Sequence, residues 1–334
     1  MQGCFGTVGG IQLRKGLLLT LFMAMFLIML VACSNTNNKV EEEEQEEVEK
    51  LDPESFAEAF RKGDYEQVYG QLSESFQKEV SVKELKSLGD DFHKDISTYV
   101  LQSKMPYGDD AVQYVWTDDS GTKGLIAVFD EEKIVQGLQI MPLEIYPDTD
   151  EVYTKTKFNM PFEHNWFVFW GGINPLVNYH YEYENQRYAY DFVKMEEQST
   201  YEGDPMMNEN YYAFGEKYIA PADGTVVKVE NDIKDNEPVG KMNDKEPLGN
   251  YVIIDHGNDE FSYLAHFKYD SIEVKEGDEV KQGDLLGLVG NSGNSSEPHI
   301  HFHVADSIDP NTSKSIRISF EQDEEIKQGD FVEK

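Results

Sequence analysis

The sequence predicts a multidomain protein in which a small α+β domain precedes a mostly antiparallel β domain, both behind an apolar leader. Three observations carry this. The chain has 334 residues, enough for roughly two domains of ordinary size. Hydrophobic periodicity changes from helical to alternating near residue 97, and from about residue 150 the composition turns to aromatic, glycine and histidine, with seven of the eight histidines at or beyond His164. Residues 298 to 304 read PHIHFHV, so that His299, His301 and His303 alternate with Ile300, Phe302 and Val304.

The leader comes first. Arg14 and Lys15 precede GLLLTLFMAMFLIMLVAC, a basic segment followed by an apolar run too short for a comfortable membrane span. The run ends Leu30-Val31-Ala32-Cys33, which resembles a bacterial lipobox. That resemblance implies a signal peptide over 1–32, cleavage before Cys33 and a lipid on that cysteine. A simple transmembrane anchor is the other reading. Both put the folded part on the extracytoplasmic face of the cell membrane. On the lipobox reading Cys4 is lost with the leader and Cys33 is used by the lipid, so no disulfide is available. A metal site in the exported protein then has to come from His, Asp or Glu, a donor set that suits zinc.

The formal charge is −35, and residues 1–32 hold two positive charges and no negative ones, so the remainder carries −37. This argues against nucleic acid, whose phosphates are bound by Lys and Arg. High acidity otherwise serves solubility and identifies no partner. The stretch SNTNNKVEEEEQEEVEK lacks the apolar residues for a packed face, so 33–50 is read as an acidic tether reaching at most about 3.3 Å per residue from the membrane.

The first domain is expected over 51–145. Asp52-Pro53 is an N-cap followed by proline at the first helical position. Phe56, Ala59 and Phe60, then Tyr65, Val68, Tyr69 and Leu72, recur at helical spacing around the turn Lys62-Gly63-Asp64. Ser81 and Glu84 form a capping box. STYVLQSKM, AVQYVWTD, GLIAVFD and KIVQGLQIM then read as four strands. The stretch FAEAFRKGDYEQVYGQLSESFQKEVS resembles NTF2-like domains that precede exported bacterial enzymes. No catalytic constellation is visible here, and His93 stands alone as a structural or solvated residue.

Residues 146–175 are read as a connecting segment, 176–310 as the β domain and 311–334 as an acidic tail. The aromatic run WFVFWGG at 166 to 172 reads as core or a packing lid, with a substrate platform left open by its closeness to His180. GTVVKVE, NYVIIDHG, EFSYLAHF and DEVKQGDLLGLVGNSG are short, glycine-punctuated strands. In the histidine strand that follows, alternation places three imidazoles on one face and three apolar side chains on the other. Three rings side by side need a partner for every ring nitrogen, which favours a metal or catalytic site over a bland polar face.

APADGTVVKV, GNYVIIDHG, YLAHF and EGDEVKQGDLLGLVGNSGNSSEPHIHFHV occur in the order and spacing of the M23 (LytM/lysostaphin-like) zinc metallopeptidases, which this chain resembles over about 176 to 306. The resemblance implies one Zn²⁺ held by a histidine and an aspartate of an early motif and by the second histidine of H-x-H, here His301. It places His266 and His299 on the two catalytic histidines. His303 stands where the family commonly has glutamate and reads as a supporting or sheet-face residue. The early motif departs from the family: its histidine and aspartate usually lie four residues apart, whereas NYHYEYENQRYAYDF separates His180 from Asp191 by eleven. YHYEYE and RYAYDF alternate like two strands of a hairpin that would bring them together, so His180 and Asp191 are taken as ligands, with His164 in PFEHNW as the rival to His180. His256, in IDHG, reads as a structural residue at the end of a buried strand.

Two neutral imidazoles and one carboxylate leave Zn²⁺ a net positive charge and an open position, the arrangement of metal-assisted hydrolysis. The implied activity is a zinc endopeptidase acting on peptidoglycan stem peptides or cross-bridges. A non-catalytic peptidoglycan-binding or hydrolase-activating module is the alternative. A biotinyl or lipoyl carrier, suggested by EVKEGDEVKQGDLLGLVG, lacks the modifiable lysine and has no use for the histidine strand.

Overall fold

Helices come first because the apolar residues of the opening segment recur at helical spacing and carry caps. In the computed structural model, which describes residues 50–108, 110–322 and 325–333, Asp52 caps a 3₁₀ turn through Glu54 N, and α1 (Phe56–Lys62) stops at Gly63, whose φ of 91° only glycine adopts without strain. Helices α2 (Tyr65–Gly70), α3 (Glu74–Glu79) and α4 (Val82–Phe92) follow. The Ser81/Glu84 capping box forms at the start of α4, a feature worth about 0.5–2 kcal/mol.

The four expected strands appear as β1 (Tyr99–Pro106), β2 (Ala111–Asp118), β3 (Lys123–Asp130) and β4 (Val135–Pro142), an antiparallel meander in sequence order. Alternation gives this sheet two buried faces. Tyr114, Trp116, Leu125, Ala127 and Phe129 face the helices and build one core with Phe56, Phe60 and Val68. Val115 and Ile126 point the other way and pack with Leu143, Leu176 and Val177 from the segment that follows. The helical segment and meander together are the α+β unit the sequence predicts.

A short helix α5 (Pro147–Asp150) leads into the larger sheet. Its strands are β5 (Tyr153–Phe158), β6 (Trp166–Trp170), β7 (Tyr190–Val193), then, past a short β8 (Lys217–Ile219), β9 (Gly224–Glu230), β10 (Asn250–Asp255), β11 (Phe261–Phe267) and β12 (Glu279–Val280). After β13 (Leu285–Leu288) come β14 (Ile300–Ala305), β15 (Ser315–Phe320) and β16 (Phe331–Val332). The spatial order is β12-β9-β10-β11-β14-β7-β6-β16; β15 pairs with β14 and with β5, the latter in parallel, while β8 and β13 pair separately. Every residue of β14 is buried, which the sheet arrangement explains: it runs between β11 and β7 and is covered on both faces.

Several expectations change. The leader, Cys33 and all of the tether except Lys50 lie outside the described residues. The segment 146–175 is more than a connector, because β5 and β6 are strands of the large sheet, and Trp166, Phe167 and Val168 are core. Residues 311–334 are not simply an acidic tail: the alternating apolar positions of SIRISF give β15, with Ile318 and Phe320 in the core. The expected hairpin of YHYEYE and RYAYDF does not form. Residues Tyr179–Glu182 make a 3₁₀ turn instead, because the Asn178 side chain takes the backbone's partners: Oδ1 accepts from His180 N, and the two N–H groups of Nδ2 are shared among Gly172 O, Arg187 O and Ala189 O, all within 3.2 Å. Among the described residues no helix is long and apolar enough to cross a membrane.

Candidate metal centre

Strand register builds the site. In the β14/β7 pair His301 stands directly opposite Asp191, and in the β14/β11 pair it stands opposite Ala265. Directly opposed residues share a face of the sheet, so Asp191 and His301 meet with their side chains side by side. Asp191 Oδ1 lies 2.9 Å from His301 Nδ1, and Asp191 Oδ2 lies 3.0 Å from His180 Nε2, delivered by the 3₁₀ turn. His180, Asp191 and His301 are 1%, 4% and 3% exposed, and one donor atom from each lies within 4.8 Å of the others.

A carboxylate buried without a counter-charge would be costly. Burial alone would raise the Asp191 pKa, but the imidazoles of His180 and His299 and the hydrogen bonds from His180 and His301 outweigh it and hold the carboxyl well below its usual range. Burial pushes His301 down, with Asp191 pulling it partly back. The group therefore presents an ionised carboxylate and, at His301, an imidazole biased toward neutrality, a charge state that suits ligation of a divalent cation. Its three donors fit a metal ion.

His266 reaches the same place by a backbone irregularity. It follows Ala265 in β11, so in a regular strand it would point away from His301. The β10/β11 register shifts between Asn250 and Val252, and His266 has a φ of 65°. This bulge turns the ring back onto the histidine face, with its centroid 4.8 Å from that of His299 and 5.6 Å from that of His301. A left-handed backbone at a residue other than glycine costs about 1–3 kcal/mol and is concentrated at functional sites.

The tautomers of His266 and His299 follow from their partners. His266 Nδ1 is 2.8 Å from Ser292 O and His299 Nδ1 is 2.8 Å from Glu297 O. A carbonyl only accepts, so each ring carries its proton on Nδ1 and leaves Nε2 unprotonated when neutral. Burial pushes both pKa values below the ordinary histidine value, in His266 well below it, with the neighbouring His299 and His301 adding to the shift. Two imidazoles with free Nε2 atoms thus stand beside the His180/Asp191/His301 group; His299 Nε2 is 3.7 Å from Asp191 Oδ1.

His303, expected as a supporting or sheet-face residue, supports His301: its Nδ1 is 2.9 Å from His301 Nε2, and its ring stacks on Tyr263 with centroids 4.5 Å apart. His164 is exposed on the Phe162–Trp166 turn and is not among the converging donors. His256 is structural, donating from Nδ1 to Asp223 O at 2.7 Å and accepting at Nε2 from Ser262 Oγ at 2.8 Å. Two contacts carried no signal in the sequence: Tyr218, whose hydroxyl donates to His301 O at 2.6 Å, and Tyr179, whose ring lies 3.9 Å from that of His180. The first depends on strands brought together from distant parts of the chain; the second joins consecutive residues of the 3₁₀ turn.

Comparison with known proteins gives the chain relatives over part of its length. A 56-residue stretch is 41% identical to the peptidoglycan DD-endopeptidase ShyA of Vibrio cholerae, covering 17% of this chain and 13% of that protein. A 90-residue stretch is 34% identical to the murein hydrolase activator NlpD of Escherichia coli, covering 27% of this chain and 20% of that protein. These matches span a fifth or less of each relative's length. Among solved structures, the catalytic domain of lysostaphin from Staphylococcus simulans overlaps 52% of this chain and 95% of that one, at 19% identity and a TM-score of 0.25. Residues 211–313 match the family model described as Peptidase family M23, a span that contains His266, His299 and His301 and begins after His180 and Asp191, and it is over that span that the chain is similar to the M23 peptidases.

Proposed function

We propose that the protein is a zinc-dependent endopeptidase that hydrolyses peptide bonds in peptidoglycan stem peptides or cross-bridges. The observation that carries this reading is the convergence of His180 Nε2, the Asp191 carboxylate and His301 Nδ1 in a buried group, with the Nε2 atoms of His266 and His299 free beside it. Zinc, when bound by these three residues, supplies Lewis acidity toward water and a peptide carbonyl. His266 and His299 hold their protons at Nδ1 against backbone carbonyls, so each Nε2 can take a proton from the attacking water and return one to the leaving amine. Once protonated, the same Nε2 is a donor placed to stabilise charge developing on the carbonyl oxygen. His303 holds the His301 ring from behind, and partners of this kind fix ligand orientation.

The apolar run ending at Cys33 supports a lipid-anchored position on the extracytoplasmic face of the membrane. An NTF2-like identity for the N-terminal α+β unit belongs to the same reading. The match to NlpD favours a second reading, a module that activates murein hydrolases without cleaving. The retention of every donor in the metal group and of both free Nε2 atoms favours catalysis. The test is to incubate the zinc-loaded protein and its His299→Ala variant with peptidoglycan and count newly released amino groups. Release by the unsubstituted protein alone supports the peptidase; silence from both, with zinc bound stoichiometrically, favours the activator.

A further inference from the structure

A ligand carried on a long loop loses affinity to disorder unless something fixes the loop, because ordering its residues costs conformational entropy. His180 is such a ligand, eleven residues ahead of Asp191. Its loop is fixed from outside the sheet that carries Asp191 and His301. On the C-terminal side of His180, the buried Tyr181 donates its hydroxyl to Asp150 Oδ2 at 2.8 Å and accepts there from Tyr146 N at 2.9 Å. Tyr188 donates to the other oxygen, Asp150 Oδ1, at 2.9 Å. Arg187 lays its guanidinium 3.4 Å from the Tyr146 ring centroid while its Nε donates to Tyr181 O at 3.1 Å. Asp150 is only 7% exposed, so its carboxylate is spent on this loop rather than on water.

On the N-terminal side of His180 the anchor is the first domain itself. Leu176 and Val177 pack with Val115 and Leu143, against the face of the meander turned away from the helices. The fit is close: a methyl group built on Gly124 of β3 would lie 2.3 Å from Leu176 Cδ1 and 3.1 Å from Leu143 Cδ1. Gly124 has no left-handed backbone, so glycine is needed there for space.

We propose that the N-terminal α+β unit is a positioning element of the metal centre: its sheet through Leu176, and Asp150 through Tyr181 and Tyr188, hold His180 in register with Asp191 and His301. This rests on reading those three residues as ligands. Metal affinity then depends on how firmly the meander is docked, and by reciprocity metal binding strengthens the docking.

The test uses the full chain and zinc affinity measured by competition with a chromophoric chelator, with the visible spectrum of the Co²⁺-loaded protein as a report on ligand geometry. Tyr181→Phe/Tyr188→Phe keeps both rings and removes both hydroxyls from Asp150. It lowers zinc affinity about 10–100-fold, the range for groups that orient a ligand, and alters the Co²⁺ spectrum. Gly124→Ala, which touches no residue of the site, lowers affinity about threefold by displacing Leu176. Should the double variant fail to fold, Gly124→Ala decides. A folded variant that melts earlier but binds zinc within twofold of the unsubstituted protein overturns the proposal, since the contacts are then structural only. Asp191→Ala separates the two claims: if it retains full affinity the ligand assignment has failed, whereas if it abolishes binding and the anchoring variants do not weaken it, only the positioning role has.

Discussion

His93 in the N-terminal unit and His301 in the large sheet are buried to similar extents, 8% and 3% exposed, yet they are opposite kinds of residue. His93 sits in an aromatic box, with ring centroids 4.7 Å from Phe60, 5.7 Å from Phe92 and 5.8 Å from Tyr99, and neither ring nitrogen has a hydrogen-bond partner among the described residues. His301 uses both of its nitrogens, one on Asp191 and one on His303. Burial alone makes an imidazole a neutral filler; a buried carboxylate beside it makes it part of a donor group that fits a metal ion. Local spacing does not reach the carboxylate partner of His301, which lies on another strand.

The largest effect that could break this contrast comes from Asp191. Asp191→Ala removes the carboxylate that unites the cluster, and we expect stoichiometric zinc binding and peptidoglycan cleavage both to be lost, with far-UV circular dichroism unchanged; retained metal would mean that histidines alone make the site. Next come His266→Ala and His299→Ala, which leave the three donors in place. Each should keep bound zinc, measured by atomic absorption, while cleavage falls about 10²–10⁴-fold, the usual contribution of a positioned acid or base. Loss of zinc in either variant would move that residue into the ligand set. His303→Ala should act more mildly, weakening zinc affinity about 10–100-fold through loss of the group behind His301.

A pH titration sharpens the other side of the comparison. Burial, reinforced by the charges of Arg61 and Lys123 and opposed by Asp90 and Glu58, pushes His93 down to about 4. The unfolded chain then takes up a proton near the ordinary value of about 6.5, where the folded chain does not. Stability is therefore present above pH 6.5 and declines as pH falls toward 4. His93→Phe, which suits the aromatic box, should flatten this part of the melting-temperature profile; an unchanged slope would show that His93 takes no part in it. The smallest effect belongs to His164→Ala, which should alter neither zinc affinity nor activity. A measurable loss of metal would return His164 to the ligand set in place of His180.

Much of the architecture was legible because it rests on local rules. The Ser81/Glu84 box, the turn at Gly63 and the alternation of the four meander strands are short-range features, and each appears where its residues place it. The resemblance put Asp191 and His301 in one donor group, and they converge in the structure, but the strand register that sets them directly opposite each other was not legible. The hairpin expected between His180 and Asp191 failed for a reason inside the sequence but invisible to a periodicity argument: one side chain, Asn178, supplies the hydrogen bonds that a strand partner would have supplied. The tail reading of 311–334 failed because acidity outweighed the short alternating run SIRISF, which finds its partners on β14 and β5.

By itself the sequence determined that His301 and His303 share a face of one strand, that the donor set is nitrogen and oxygen without sulfur, and that helices precede strands, since side-chain alternation and local caps are properties of consecutive residues. The tertiary structure alone decided the register that sets Asp191 opposite His301, that a bulge at His266 turns its ring toward His299, and that Leu176 and Val177 beside the loop of His180 pack on the first domain. Those outcomes depend on strand register and on contacts between residues far apart in the chain, here 110 positions between Asp191 and His301, and such contacts are set only when the sheet closes and its core is packed.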